Sequence, residues 1–178
     1  MKKGYTLIEI LVAIFIFSIL ALALAESFVS ASRAQRKALA ETQVINSTSY
    51  VLEYMSRALR MAKKDSSGSC VVQPNTNYQV LDNGNGIKFK NYKNECQTFS
   101  LGGAEGKQIV ENQSVPLTPS DLEVKNLEFT VTGDTPGSQP LVTIKFQIQK
   151  RDQPETKIEI QTAVSQRNLN VQQSQSQP

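Results

Sequence analysis

The chain has 178 residues, with 19 Lys and Arg against 16 Asp and Glu, a net charge of +3, and neither histidine nor tryptophan. That length leaves one small domain beyond a long N-terminal helix, and a charge so near neutral does not point to nucleic acid as a partner. Without histidine the commonest general base and metal ligand are missing, and no serine, cysteine or glycine-rich loop stands in a nucleophile or phosphate-binding pattern, so the chain reads as no enzyme, with no metal and no cofactor.

The first element is residues 5–25, apolar or small at every position except Glu9. As a helix this stretch rises ~32 Å, about the thickness of a bilayer's hydrocarbon core. Lys2 and Lys3 precede it, which favours a cytoplasmic N-terminus; Arg33, Arg36 and Lys37 on the far side soften that asymmetry. Glu9 is the anomaly. An ionised carboxylate in lipid costs at least ~2.5 kcal/mol, and no cation lies near it along the run. Cleavage after Gly4 would supply one, because the new amine on Tyr5 lies one helical turn from Glu9. The pair can close within one helix, or between neighbours in a bundle of staggered copies. Glycine at the cut lets a protease approach the backbone closely.

Lys2-Lys3-Gly4-Tyr5-Thr6-Leu7-Ile8-Glu9 followed by an apolar helix resembles the class III signal of type IV pilins and type II secretion pseudopilins. The resemblance implies a membrane prepilin peptidase that cuts between Gly4 and Tyr5 and methylates the Tyr5 amine. It also implies that Glu9 docks each subunit into a helical fibre of other pilins or pseudopilins, raised on an inner-membrane assembly platform. Tyr5 stands where the family usually has Phe. Three plainer readings compete. A secretory signal peptide would use Ala21-Leu22-Ala23 or Ala23-Leu24-Ala25 for cleavage, but its apolar region should be ~7–15 residues without a charge. A simple anchor explains the length and not Glu9, and an incidental Glu9 ignores the cost of its charge.

No glycine or proline occurs between Tyr5 and Ser67, so the helix should continue into solvent and end near Ala62 to Lys64, where basic residues and then Gly68 suit a terminus. Residues 27–43 are mostly polar. Val44, Val51, Leu52, Met55, Leu59 and Ala62 recur at three- and four-residue steps and form an apolar face that needs a sheet over it. Asn46-Ser47-Thr48-Ser49 is a weak-propensity patch where the rod is expected to bend or fray. Arg57, Arg60, Lys63 and Lys64 form a basic helix end, read as a solvated terminus.

From Ser66 turn and strand residues take over. Cys70 and Cys96 both fall in the exported part, and a disulfide between them closes a loop of roughly 27 residues, adding ~3 kcal/mol. Two buried thiols are the alternative. Residues 78–81 and 87–90 read as a hairpin around Asp82-Asn83-Gly84-Asn85-Gly86, whose Asn-Gly steps supply the positive φ of tight turns and which lacks the spacing of a calcium loop. Residues 97–101 and 108–111 are further strands, Pro116 and Pro119 mark a surface loop, and residues 127–131, 141–148 and 158–164 form the most regular set, expected as a twisted antiparallel meander. Asn46-Ser47-Thr48 and Asn112-Gln113-Ser114 match a glycosylation acceptor, a short pattern that implies nothing in a bacterium.

The C-terminal half also resembles the family: residues 160–168 are similar to the last strand of minor pilins and J-type pseudopilins, and Leu52-x-x-Met55-x-Arg57-x-Leu59-Arg60 to their helix. The implied fold class is α+β, a long N-terminal helix packed on a C-terminal antiparallel sheet. Its parts are a leader (1–4), a transmembrane and assembly helix (5–25), an exported continuation (26–65), a sheet domain (66–168) and a disordered tail (169–178). The expected role is that of a minor pilin or pseudopilin, crossing the bacterial inner membrane once and then entering a cell-surface or periplasmic fibre. The alternative is an anchored extracytoplasmic binding domain that never polymerises.

Overall fold

The structure is a computed structural model that describes residues 4–135 and 138–167. Lys2 and Lys3 of the expected leader, Asn168 of the expected last strand and the expected disordered tail lie outside the described residues. Among the described residues one α-helix, α1 (Leu7–Arg60), contributes to both of two compact units, Met1–Glu41 and Thr42–Pro178.

In the first unit α1 carries its apolar side chains into open space. Phe15, Phe17, Leu22 and Leu24 are each about two-thirds exposed or more. Ser18 and Ser27 are satisfied within the helix: Ser18 donates to the Ile14 carbonyl at 2.8 Å and Ser27 to that of Ala23 at 3.0 Å. Such a surface suits lipid or other apolar helices better than water.

In the second unit the same helix is amphipathic. Val44, Val51, Met55, Leu59 and Ala62 are buried as the sequence spacing predicts, Leu52 is half-buried against the same core, and Thr48 completes the stripe. The Thr48 hydroxyl donates to the Val44 carbonyl at 2.6 Å, which satisfies it inside the core, and the helix passes through the Asn46–Ser49 region unbroken. Regular α-helix stops at Arg60, two residues before the expected end. A tighter turn follows: the Met61 N–H is shared between the carbonyls of Arg57 and Ala58, and Ala62 donates to Leu59 at 3.1 Å. The chain leaves the helix there because the Lys63 N–H goes instead to the Lys90 carbonyl, at 2.9 Å.

Eight strands follow among the described residues: β1 (Tyr78–Leu81), β2 (Gly86–Lys90), β3 (Cys96–Gly102), β4 (Gln108–Glu111), β5 (Val115–Pro116), β6 (Leu122–Thr132), β7 (Leu141–Lys150) and β8 (Gln153–Ser165). All pairings are antiparallel and sequential. The expected sheet is divided in two, a five-stranded meander β1-β2-β3-β4-β5 and a three-stranded meander β6-β7-β8. The division falls where Pro116 and Pro119 remove backbone donors. The sheets still meet, since the Val124 N–H donates to the Lys107 carbonyl at 2.8 Å.

Residues 70–72 form no strand, because the N–H groups of Cys70 and Val71 are taken by the Asp65 carboxylate. One local expectation changes. Pro116, expected in a loop, sits in β5, brought back beside β4 by a tight turn in which Asn112 (φ 49°) and Gln113 (φ 63°) both adopt the left-handed conformation. The β1–β2 turn uses only the first Asn-Gly step, with Asn83 at φ 55° and Gly84 at φ 108°. Gly86 already belongs to β2, where a Cβ would meet Ser100 Cβ at 3.2 Å.

The core lies between the helix face and both sheets. Ile87, Phe89, Phe99 and Ile109 come from the first sheet, and Leu127, Phe129, Val142, Ile144, Phe146, Ile148 and Val164 from the second. The β8 alternation holds: Ile158, Ile160 and Thr162 share the inward face with Thr156 and Val164.

Candidate functional site

The segment singled out by the sequence lies at the start of α1. Thr6 caps the helix: its hydroxyl accepts the Glu9 N–H at 3.4 Å and its carbonyl accepts the Ile10 N–H at 3.3 Å. Sequence reasoning missed this cap, although Thr6-x-x-Glu9 is the capping-box pattern and carries the signal openly. Gly4 and Tyr5 lie outside the helix. A Cβ on Gly4 would meet nothing within 4 Å, and Tyr5 is 80% exposed, so the peptide between them is open to approach.

Glu9 is exposed in the first turn of α1, where the positive end of the helix dipole favours an acid. Its carboxylate has no cationic partner among the described residues. The structure thus reproduces the problem posed by the sequence, an acid at the head of an apolar helix with nothing among the described residues to neutralise it. The helix is long and apolar enough to cross a membrane.

In the second unit the polar groups mainly build the domain. Cys70 and Cys96 are joined by a disulfide, with their Cα atoms 5.4 Å apart, tying the loop after α1 to the start of β3. Inside that loop Asp65 is fully buried. The backbone N–H groups of Cys70 (2.6 Å) and Val71 (3.1 Å) hold its carboxyl well below the usual carboxylate range, helped by the Ser67 hydroxyl and the Lys90 ammonium. Burial acts in the opposite direction, favouring the protonated acid, and is outweighed. Asp134 performs a similar task from the loop after β6, accepting the N–H groups of Asn77 and Tyr78 and the Asn77 side-chain amide at 2.7 Å. Gln166, buried after β8, donates to the Ala62 carbonyl at 2.6 Å and to Asn77 Oδ1 at 3.1 Å. Asp65 ties the segment after α1 to β2 through Lys90, Asp134 ties the loop after β6 to the start of β1, and Gln166 joins the segment after α1 to the residue before β1.

Glu123 is nearly buried between Lys107 and Lys125, each 2.9 Å away, and the hydrogen bond from Lys107, then that from Lys125, lower its carboxyl to about 2. Tyr54 donates to Glu111 at 2.8 Å, and burial, then that carboxylate, push its phenol up to about 12. Of the basic helix end, Arg57 pairs with Glu53 and Lys63 donates to Asn94 at 3.2 Å. A polar cleft of about 400 Å³ lies where the β1–β2 turn meets β6 and β7, with Asn83, Asn85, Lys125, Glu128 and Lys145 on its walls. Among the described residues no group of three or more His, Cys, Asp or Glu could hold a metal ion.

A long apolar N-terminal helix packed on antiparallel sheets is the α+β architecture of pilin-like proteins. The family model described as the prokaryotic N-terminal methylation motif matches residues 1–25, so this segment carries the prepilin-type signal of type IV pilins and pseudopilins. No curated protein and no solved structure matches the chain. The apolar helix and the motif together fit a protein anchored in the inner membrane.

Proposed function

We propose that the chain is a structural subunit, a minor pilin or pseudopilin, of a type IV pilus-like or type II secretion fibre, and not an enzyme. The single observation that carries this reading is Glu9, without a cationic partner among the described residues, at the head of a helix whose large apolar side chains from Leu7 to Leu24 are exposed, within a segment that matches the methylation motif. An inner-membrane prepilin peptidase cuts after Gly4, releasing an amine on Tyr5 that is then methylated. The N-terminus lies in the cytoplasm and the sheet domain outside. The apolar helix stores the subunit in the bilayer and then packs against its counterparts in the fibre, so burial of one surface serves both states. In the fibre Glu9 of one subunit meets the Tyr5 amine of a neighbour, which neutralises both charges and fixes the axial register.

The domain suits export. Its disulfide is of the kind that forms outside the reducing cytoplasm. The experiment is replacement of Glu9 by Ala in the native host: cleavage after Gly4 should be unaffected while incorporation into fibres is lost. Normal incorporation of Glu9→Ala would remove the docking role.

A further inference from the structure

The end of α1 lies close to the bond to be cut. Thr6 carries both marks of an N-cap, the carbonyl that receives the first helical N–H, from Ile10 at 3.3 Å, and the side-chain oxygen that receives the N–H of Glu9 at 3.4 Å. The scissile peptide between Gly4 and Tyr5 is therefore the first one wholly outside the helix and its cap. Around it there is open space.

This placement matters for proteolysis. A peptide inside a helix has its N–H and carbonyl engaged, and a protease can seat it only after the local turn unfolds. Upstream propagation is a real alternative here. Residues 5–25 contain no proline or glycine, and in a bilayer an unsatisfied backbone N–H costs several kcal/mol, which drives a helix to extend until something else satisfies its first amides. Gly4 alone is a weak barrier, since one glycine disfavours helix by only about 1 kcal/mol. The Thr6 hydroxyl satisfies the Glu9 amide, one of the four first amides, and so weakens the drive.

We propose that Thr6 is a positioning residue for cleavage: by ending the helix two residues after Gly4, it keeps the peptide between Gly4 and Tyr5 out of the helix and available to the peptidase. Hydrolysis adds one water across that bond, leaving a carboxylate on Gly4 and an ammonium on Tyr5. The inference rests on the reading of this segment as a processing signal, to which the methylation-motif match over residues 1–25 points independently.

The test uses the full-length chain in lipid vesicles with a purified prepilin peptidase, following release of residues 1–4 by mass spectrometry. The available fraction of substrate scales the apparent affinity, so Thr6→Ala should raise KM by about fivefold and leave kcat unchanged. Thr6→Ser and Thr6→Asn, both good caps, should stay within about twofold of the wild type. The asparagine variant is decisive because it caps without a hydroxyl. If Thr6→Asn is cut as poorly as Thr6→Ala, the peptidase reads the threonine itself and the positioning role is overturned; wild-type kinetics for Thr6→Ala overturn it equally. A wild-type chain left uncut after Gly4 overturns the processing reading instead, and is seen before any variant is compared.

Discussion

Asp65 shows how single residues carry this domain. Its buried carboxylate accepts the Cys70 and Val71 N–H groups, the Ser67 and Ser69 hydroxyls and the Lys90 ammonium. Asp65→Ala leaves two buried backbone donors without acceptors, at about 1–3 kcal/mol each. We expect chemical denaturation of the full chain in detergent to show a loss of about 2–4 kcal/mol, and a variant unfolding like the wild type would contradict the assignment. The acid dependence follows from the sign of the shifts. Asp65 and Glu123 are both held below their ordinary values in the folded chain, Glu123 at about 2 against 4.5. Folding is therefore linked to their ionised forms: the contribution is complete above about pH 5 and is lost as pH falls through the folded values. The unfolding midpoint should accordingly drop between about pH 5 and pH 2. Replacing Glu123 with Gln should flatten part of that slope, and an unchanged slope would remove Glu123 from the account. None of these roles was legible in the sequence. Asp65 and Asp134 serve backbone amides and side chains that only the fold brings near, Asn77 lying 57 residues from Asp134. Thr6 is the contrary case, because its partner stands three residues away.

The elements divide along the same line. The alternating stretches of β2, β6, β7 and β8 were readable from pattern alone, and so was the buried stripe of α1, because a core face imposes its period on the residues that cover it. The missed features depend on partners. β5 is two residues long and exists because Asn112 and Gln113 turn the chain back onto β4. The break between the two sheets falls between β5 and β6, in the segment of Pro116 and Pro119 that the sequence marked only as a surface loop. Two measurements address this level. Met55 and Leu59 are fully buried beneath both sheets, so Met55→Ala should cost about 2–5 kcal/mol of stability. Reduction of the Cys70–Cys96 bridge, which spans 26 positions and encloses β1 and β2, should cost about 3 kcal/mol. The second value is read as the difference in denaturant midpoint with and without a thiol reductant. Equal midpoints would mean that the bridge does not constrain the unfolded chain.

For the whole molecule, one helix supplies two surfaces of opposite character. In the second unit its apolar stripe is buried against the sheets, while in the first unit apolar side chains stand exposed on every face. A soluble domain has no reason to bear the second surface, whereas a subunit that passes from lipid to a bundle of its neighbours needs it in both places. Glu9 is the exception within that surface, and its proposed partner exists only after proteolysis. The most direct measurement is thus the mass of the N-terminus of the protein isolated from its native envelope. The account predicts a chain that begins at Tyr5, heavier by one methyl group where the amine is modified. A chain still carrying Met1 to Gly4, or one that begins after Ala25, would contradict it.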